Sequence, residues 1–221
     1  MKRIWFGVLW VFIAVPLYSQ GLNLTFKETG PIGPTTPSMQ TDRTHARLDI
    51  PSLVSQILYD SSTKTLQVLV PLFRNYREYT PASLQQQPNR GAAPAPVPIT
   101  YKRTGTSKVQ NWTCTTYDGF RGAEKVVEVC AAEGAAIALT RADFTVVQQA
   151  INLAKGVAPA EMIERIPTYG TAASQGFAGF PVRRVSFLNG QPVSTVELVE
   201  IKREAVPAAT FAIPAGFVKA P

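Results

Sequence analysis

The chain has 221 residues, of which 45% are hydrophobic and 17% charged. A globular chain of this size buries a full core, as one domain or at most two, and all-β domains often reach this length alone. The formal net charge is +7, but the basic residues come as separated doublets, Lys102-Arg103, Arg183-Arg184 and Lys202-Arg203, and not as the continuous block of a nucleic-acid-binding face.

Residues 1–20 read as a secretory signal peptide. Lys2 and Arg3 supply the positive start, Ile4 to Leu17 an uncharged apolar run, and Pro16 with Tyr18-Ser19-Gln20 the exit. A membrane-anchoring helix needs about 20 apolar residues, more than this run offers. Cleavage is expected after Ser19 or Gln20, with no Cys following to carry a lipid. Loss of Lys2 and Arg3 lowers the charge by two, to +5. The protein is thus expected in the periplasm or outside the cell, with no stable membrane span after cleavage and no nucleic-acid partner. Anionic lipid head groups or acidic glycans are what such a charge would attract; solubility alone is the simpler account.

The rest, residues 21–221, reads as one domain. Leu22, Leu24 and Phe26 alternate with polar residues, as do Ala46, Leu48 and Ile50, so both segments predict half-buried strands, the second ended by Pro51. Between them, Gly30 to Pro34 and Pro37 predict a loop. Gln56 to Tyr59 and Thr65 to Val70 flank the polar turn Asp60 to Lys64 as a hairpin. Its second strand carries Leu66, Val68 and Val70 on one face and Leu69 on the other, so it is central or has a ligand behind it. Phe73, Tyr76 and Tyr79 continue the apolar material. Pro81 to Pro98 is a Pro/Ala/Gln-rich break, expected as an exposed insert that splits the strands into two groups without making two domains.

Trp112 to Phe120 and Lys125 to Cys130 predict a hairpin centred on Gly122, which sets Cys114 opposite Cys130. Opposed residues have Cα atoms about 4.5–5.5 Å apart, within reach of a disulfide. An oxidising compartment favours that bond over two buried thiols. Thr140 caps a helix, Asp143 sits in its first turn, and Phe144, Val147, Ile151 and Ala154 follow at helical spacing before Gly156. A shorter helix is expected from Pro159 to Ile166. Tyr169 to Gly179 reads as a flexible crossing, Phe180 to Ile201 as a hairpin turning at Asn189-Gly190, and Pro207 to Phe217 as a closing turn. The fold class is α+β: an antiparallel sheet with a helical insertion before the last hairpin.

Catalytic chemistry is scarce. The single histidine, His45, lies on a polar strand face between Arg43 and Arg47. No Gly-x-Ser-x-Gly elbow, phosphate loop or dinucleotide fingerprint occurs, and metal ligation needs several convergent ligands. No enzyme activity, cofactor or metal is expected.

Tyr101-Lys102-Arg103-Thr104-Gly105, Asn111 to Tyr117, the helix at Thr140, Gly179 to Arg183, Ser194 to Leu198 and Phe211 to Phe217 resemble a family of secreted bacterial proteins, the domain of unknown function 4412. The resemblance spans Leu22 to the C-terminus and is closest in the second half. The proline-rich insert and Cys130 depart from the pattern. The resemblance implies a curved antiparallel half-barrel, similar to periplasmic lipoprotein carriers and their outer-membrane receptor. It transfers no binding or catalytic residues, and fold similarity does not transfer activity. Two functions are weighed ahead of a third, an enzyme, which would need His45 or carboxylates among Asp118, Glu124, Glu128, Asp143, Glu161 and Glu164 to converge in a cleft. In the first, the concave face binds a lipid or other apolar ligand. Leu69, Phe73 and Val199 supply apolar surface, and one of Arg183 and Arg184 points inward to hold a head group. Against it stands the reading in which these apolar residues only pack on the helices. In the second function, the protein is a structural or adaptor protein that contacts another envelope protein through the insert.

Overall fold

A computed structural model describes residues 21–86, 97–158 and 160–220. The expected signal peptide and the central part of the expected insert, residues 87–96, lie outside the described residues. One sheet holds thirteen strands. In chain order these are β1 (Gly21–Gly30), β2 (Gly33–Thr35), β3 (Ser38–Thr41), β4 (His45–Ile50), β5 (Ser55–Asp60), β6 (Thr65–Val70) and β7 (Asn75–Tyr79). After the insert come β8 (Thr100–Val109), β9 (Trp112–Arg121), β10 (Glu124–Ala132), β11 (Phe180–Leu188), β12 (Gln191–Glu204) and β13 (Val218–Lys219). Across the sheet the order is β13-β7-β6-β5-β4-β3-β1-β12-β11-β10-β9-β8, with β2 beside β1. The sheet is open, and among the described residues β13–β7 is its one parallel pair. The C-terminal hairpin returns to the N-terminal strand, so β1 sits between β3 and β12 and unites both strand groups.

The alternating strands place their apolar residues where expected. Leu22, Leu24 and Phe26 of β1, Ala46 and Leu48 of β4, Ile57 of β5 and Leu66 of β6 form one core. Helix α3 (Thr145–Ala154) lies over it, entered through a tight turn at Arg141–Phe144. Phe144, Val147, Ile151 and Ala154 are all buried there. Asn189 and Gly190 both have positive φ, at 51° and 74°, as the two-residue hairpin between β11 and β12 requires.

Asp143 fastens α3 at two points. Its Oδ2 accepts from the Thr140 backbone N–H at 2.7 Å and from the Thr140 hydroxyl at 2.9 Å. Its two oxygens also accept from Arg203 of β12 at 2.9 and 2.8 Å. Burial works against the carboxylate, but the Arg203 and Thr140 bonds outweigh it and hold Asp143 below its ordinary pKa. A depressed folded pKa means stability that is present above the unfolded value of about 3.9 and lost as pH falls through the folded one. Asp143→Ala is therefore expected to cost about 1–2 kcal/mol in urea denaturation at pH 7, within the range for lost helix caps. The gap to wild type should narrow as pH falls below the unfolded value and close once pH has passed the lower folded one. A gap unchanged between pH 7 and 3 would assign the loss to packing.

Several segments differ from their sequence reading. Ser38–Thr41 is a strand although it lies just past Pro37, because β1 and β4 pair it on both sides. Thr100–Val109 is a ten-residue edge strand. The start of the insert is helix α1 (Pro81–Gln85), with Thr80 and Ser83 capping each other. The crossing expected to be flexible contains helix α5 (Ala172–Gln175), pinched by the Gly170–Gly179 bridge. Helices α2 (Gly134–Ile137) and α4 (Ala160–Ile163) complete the set among the described residues. The tail places a short turn, Ala208–Phe211, across the outer face of β4, where Arg47 donates to the Thr210 carbonyl at 3.0 Å, and then adds β13 to the edge.

A disulfide joins Cys114 and Cys130, with Cα atoms 5.4 Å apart. The register that brings them together is not the expected one. Cys130 pairs with Thr116, because the turn is Gly122-Ala123 and a bulge at Val126 shifts the ladder. Cys114 is thus the diagonal neighbour of Cys130, drawn close by the sheet's twist.

Candidate functional site

The concave face holds a cleft of about 700 Å³, within the range of small-molecule sites. Phe26 of β1 and Val196 of β12 form its floor, Ile151 of α3 and Ile163 and Ile166 of the α4 segment one wall, and Phe177 with Tyr101 the other. Tyr101 meets Phe177 edge-on at 5.0 Å, and Tyr117 supports it at 5.8 Å. Such contacts fix the wall. A narrower space of about 50 Å³ continues past Ile166 and Arg184 to Glu28, Met39, Leu48 and Ile50.

Arg184 stands where the two spaces meet. It pairs in register with Val196 on one side and Val129 on the other, which aims it into the concavity. Its Nε is sealed from solvent and has no hydrogen-bond partner. Burial pushes the guanidinium below its ordinary pKa, while Tyr101 and Glu164 oppose the shift. Glu164 is already held by Arg121 at 3.1 Å, so it shares its charge. Burial likewise raises the Tyr101 phenol above its usual value. An arginine stays charged in proteins, and this one, without a carboxylate of its own, carries a desolvation cost that Tyr101 and the shared Glu164 offset only in part. An anion in the cleft would offset that cost. The same concavity buries Glu28, which accepts from Thr35 at 2.9 Å and from Ser194 at 3.5 Å.

The predicted site residues separate. Arg183, next to Arg184, faces the other side, bound to Glu128 at 3.1 Å in a cluster where Lys125 also meets Glu128 and Asp118. Leu69 is fully buried, but on the face opposite Leu66 and Val68, so it does not line the cleft. Phe73 sits on the turn between β6 and β7 and is 69% exposed, outside the concavity altogether. Val199 is the unpaired residue of a bulge in β12, opposite Thr25 and Phe26, and is turned partly to solvent. His45 bonds Asp42 through Nδ1 at 3.1 Å and stacks on Phe211 at 5.2 Å, on the outer face and far from the cleft lining. Among the described residues no three His, Cys, Asp or Glu side chains gather as a metal site. No described helix is long and apolar enough to cross a membrane.

Sequence reading gave no place in the cleft to Glu28, Tyr101, Glu164 or Phe177. Glu28 did leave a signal: it continues the apolar alternation of Leu22, Leu24 and Phe26 with a carboxylate, and that position is 5% exposed.

Fold and site define a class: an open, curved antiparallel sheet whose concave face is roofed by short helices over an apolar cleft. Within that class the chain belongs to the family described as Domain of unknown function (DUF4412), whose model matches residues 35–217. No curated protein matches the sequence. Among solved structures, an uncharacterized conserved protein from Thermus thermophilus is similar, at 10% identity and a TM-score of 0.51, with 91% of each chain covered. MucB in the Pseudomonas aeruginosa MucA/MucB complex matches at 10% identity and a TM-score of 0.42, over 90% of this chain and 56% of that one. A LolA superfamily protein from Nitrosomonas europaea matches at 12% identity and a TM-score of 0.27, over 89% and 91%. The chain thus spans little more than half the length of MucB.

Proposed function

We propose that this is an exported cell-envelope protein that holds an amphiphile in its concave cleft, apolar chain against Phe26, Ile151, Ile163 and Ile166, anionic head group at Arg184. It acts by binding and not by catalysis. One observation carries the reading: a cleft of about 700 Å³ presents an inward guanidinium that is bonded to Tyr101 and forms no ion pair of its own among the described residues. A side chain merely filling the core would be apolar, and a structural arginine would own a carboxylate, as Arg183 and Arg203 do.

Native mass spectrometry of protein gently extracted from its own host is expected to show an adduct of lipid mass. Arg184→Gln should weaken binding of lysophosphatidylglycerol by about tenfold, roughly 1.4 kcal/mol, and leave a neutral monoacylglycerol unaffected. Apo mass alone in the host extract, or equal losses for the charged and neutral lipids, would overturn the assignment.

A further inference from the structure

The two ends of the sheet differ in their exposed apolar side chains. At one end the turns are polar: Asp42-Arg43-Thr44 between β3 and β4, Ser61 to Lys64 between β5 and β6, and Gln110-Asn111 between β8 and β9. The other end also has small and polar turns, Gly122-Ala123 and Asn189-Gly190, but it carries the exposed apolar tips. Ile32 tips the turn after β1, Val54 the turn after β4, Leu72 and Phe73 the turn after β6, and Leu188 ends β11. Val97, ahead of β8, and Val218, beside Asn75, lie at this same end. Of the eight large apolar side chains exposed among the described residues, Val199 is the one placed elsewhere. Scattered exposed apolar residues are ordinary; their collection at one end is not.

Two of these turns repeat one design. Pro51-Ser52-Leu53-Val54 and Pro71-Leu72-Phe73-Arg74 are each opened by proline and closed by a bond from the fourth residue back to the first carbonyl, at 3.0 and 3.2 Å. The closing residues are left-handed, with φ of 50° at Val54 and 47° at Arg74, where glycine or asparagine is the usual choice. Leu72 and Phe73 are 72% and 69% exposed, so the turn displays them instead of packing them.

We infer that this end of the sheet docks on a lipid bilayer surface, with the turn tips entering the interface. The tips come from separate turns along one end of the sheet, and a fluid partner accommodates such a set of insertions. Arg74 beside Phe73 is exposed and in no ion pair among the described residues, and the chain keeps a charge of +5 without Lys2 and Arg3, both complementary to anionic head groups. The narrow end of the concave space, lined by Ser38, Ile50, Ser52, Ser186 and Ser194, opens among these same turns. Docking here would set the mouth of the concavity against the membrane. Docking rests on the exposed turns and not on a bound ligand, and the test reads attachment whether or not the cleft is filled.

The disulfide leaves no free thiol, so a single introduced cysteine can carry an environment-sensitive nitrobenzoxadiazole. With phosphatidylethanolamine–phosphatidylglycerol vesicles, the label on Phe73→Cys should brighten and shift to the blue. The label on Ser62→Cys, at the polar end, should not respond. The double variant Leu72→Ser, Phe73→Ser should float with vesicles at least tenfold less than wild type while melting at the same temperature. Three results would overturn the inference: wild type that does not float with vesicles, two labels that respond alike, or a lipid-free dimer in the ultracentrifuge that the serine variants dissociate. The last would assign the rim to a second copy of the chain.

Discussion

Gly179→Ala is expected to destabilise the protein by about 3–5 kcal/mol, a loss of the size that only a named backbone or core defect produces. Gly179 has φ of +98°, a conformation L side chains rarely adopt. A Cβ there would run into the Ala132 carbonyl oxygen and lie 3.0 Å from its carbon. Both atoms belong to the backbone of β10, so no rotamer change relieves the collision. The neighbourhood also loses its bonds. Gly179 donates to Gly170 at 3.1 Å and accepts from it at 3.3 Å, and the Gln175 side chain donates to the Gly179 carbonyl at 2.9 Å. These bonds pinch the loop that carries α5 and Phe177 into the cleft wall, so ligand binding should fall with stability. Gly122→Ala is the control. Its φ is +66° with open space around the Cβ position, and it should cost only about 1–2 kcal/mol. Equal losses at both positions would sink the role given to the Ala132 contact. The readout is the urea midpoint of each variant.

Much of the sheet was legible because its strands have one apolar face. β1, β4, β5 and β6 alternate against a core, and α3 carries both a cap and a helical stripe. β8 was illegible for the opposite reason. It is an edge strand in which nine of ten residues are not buried, so Lys102, Arg103, Thr104 and Lys108 show no period. Such charged edges discourage further pairing and leave no hydrophobic pattern to read. The candidate site was harder, because it depends on parity. Alternation says that Arg183 and Arg184 point oppositely, but the bulges in β11, at Val182, and in β12, at Val199, set which one enters the concavity. The same shift removed Val199 from the cleft. Phe73 was misplaced because an apolar residue in a run of apolar residues reads as core, while Pro71 ends the strand and a tight turn exposes it. Tyr101 and Glu164 reach Arg184 from segments far apart in the chain, and no local pattern reports such a meeting.

Removing the disulfide should be nearly as costly. Cys114→Ser with Cys130→Ser is expected to lower stability by about 3 kcal/mol, the loop-closure value for a separation of 16 residues. At this chain length that corresponds to a melting temperature about 6–12 °C lower. Both cysteines are buried, so each serine adds the cost of a hydroxyl that must find a partner. A Cys114→Ala, Cys130→Ala pair separates that cost from the cross-link. The location gives the loss a functional direction. The bond ties β9 to β10, and the Cys114 sulfur lies 3.7 Å from the Ser107 carbonyl of β8. β8 is the edge strand that carries Tyr101 into the cleft and pairs with β9 alone. With the staple gone, hydrogen exchange should rise first along β8 and β9, and α3 should keep its protection. Uniform loss of protection across the sheet, or an unchanged melting temperature in both double variants, would show that strand pairing alone holds this edge and that the disulfide contributes nothing to the cleft.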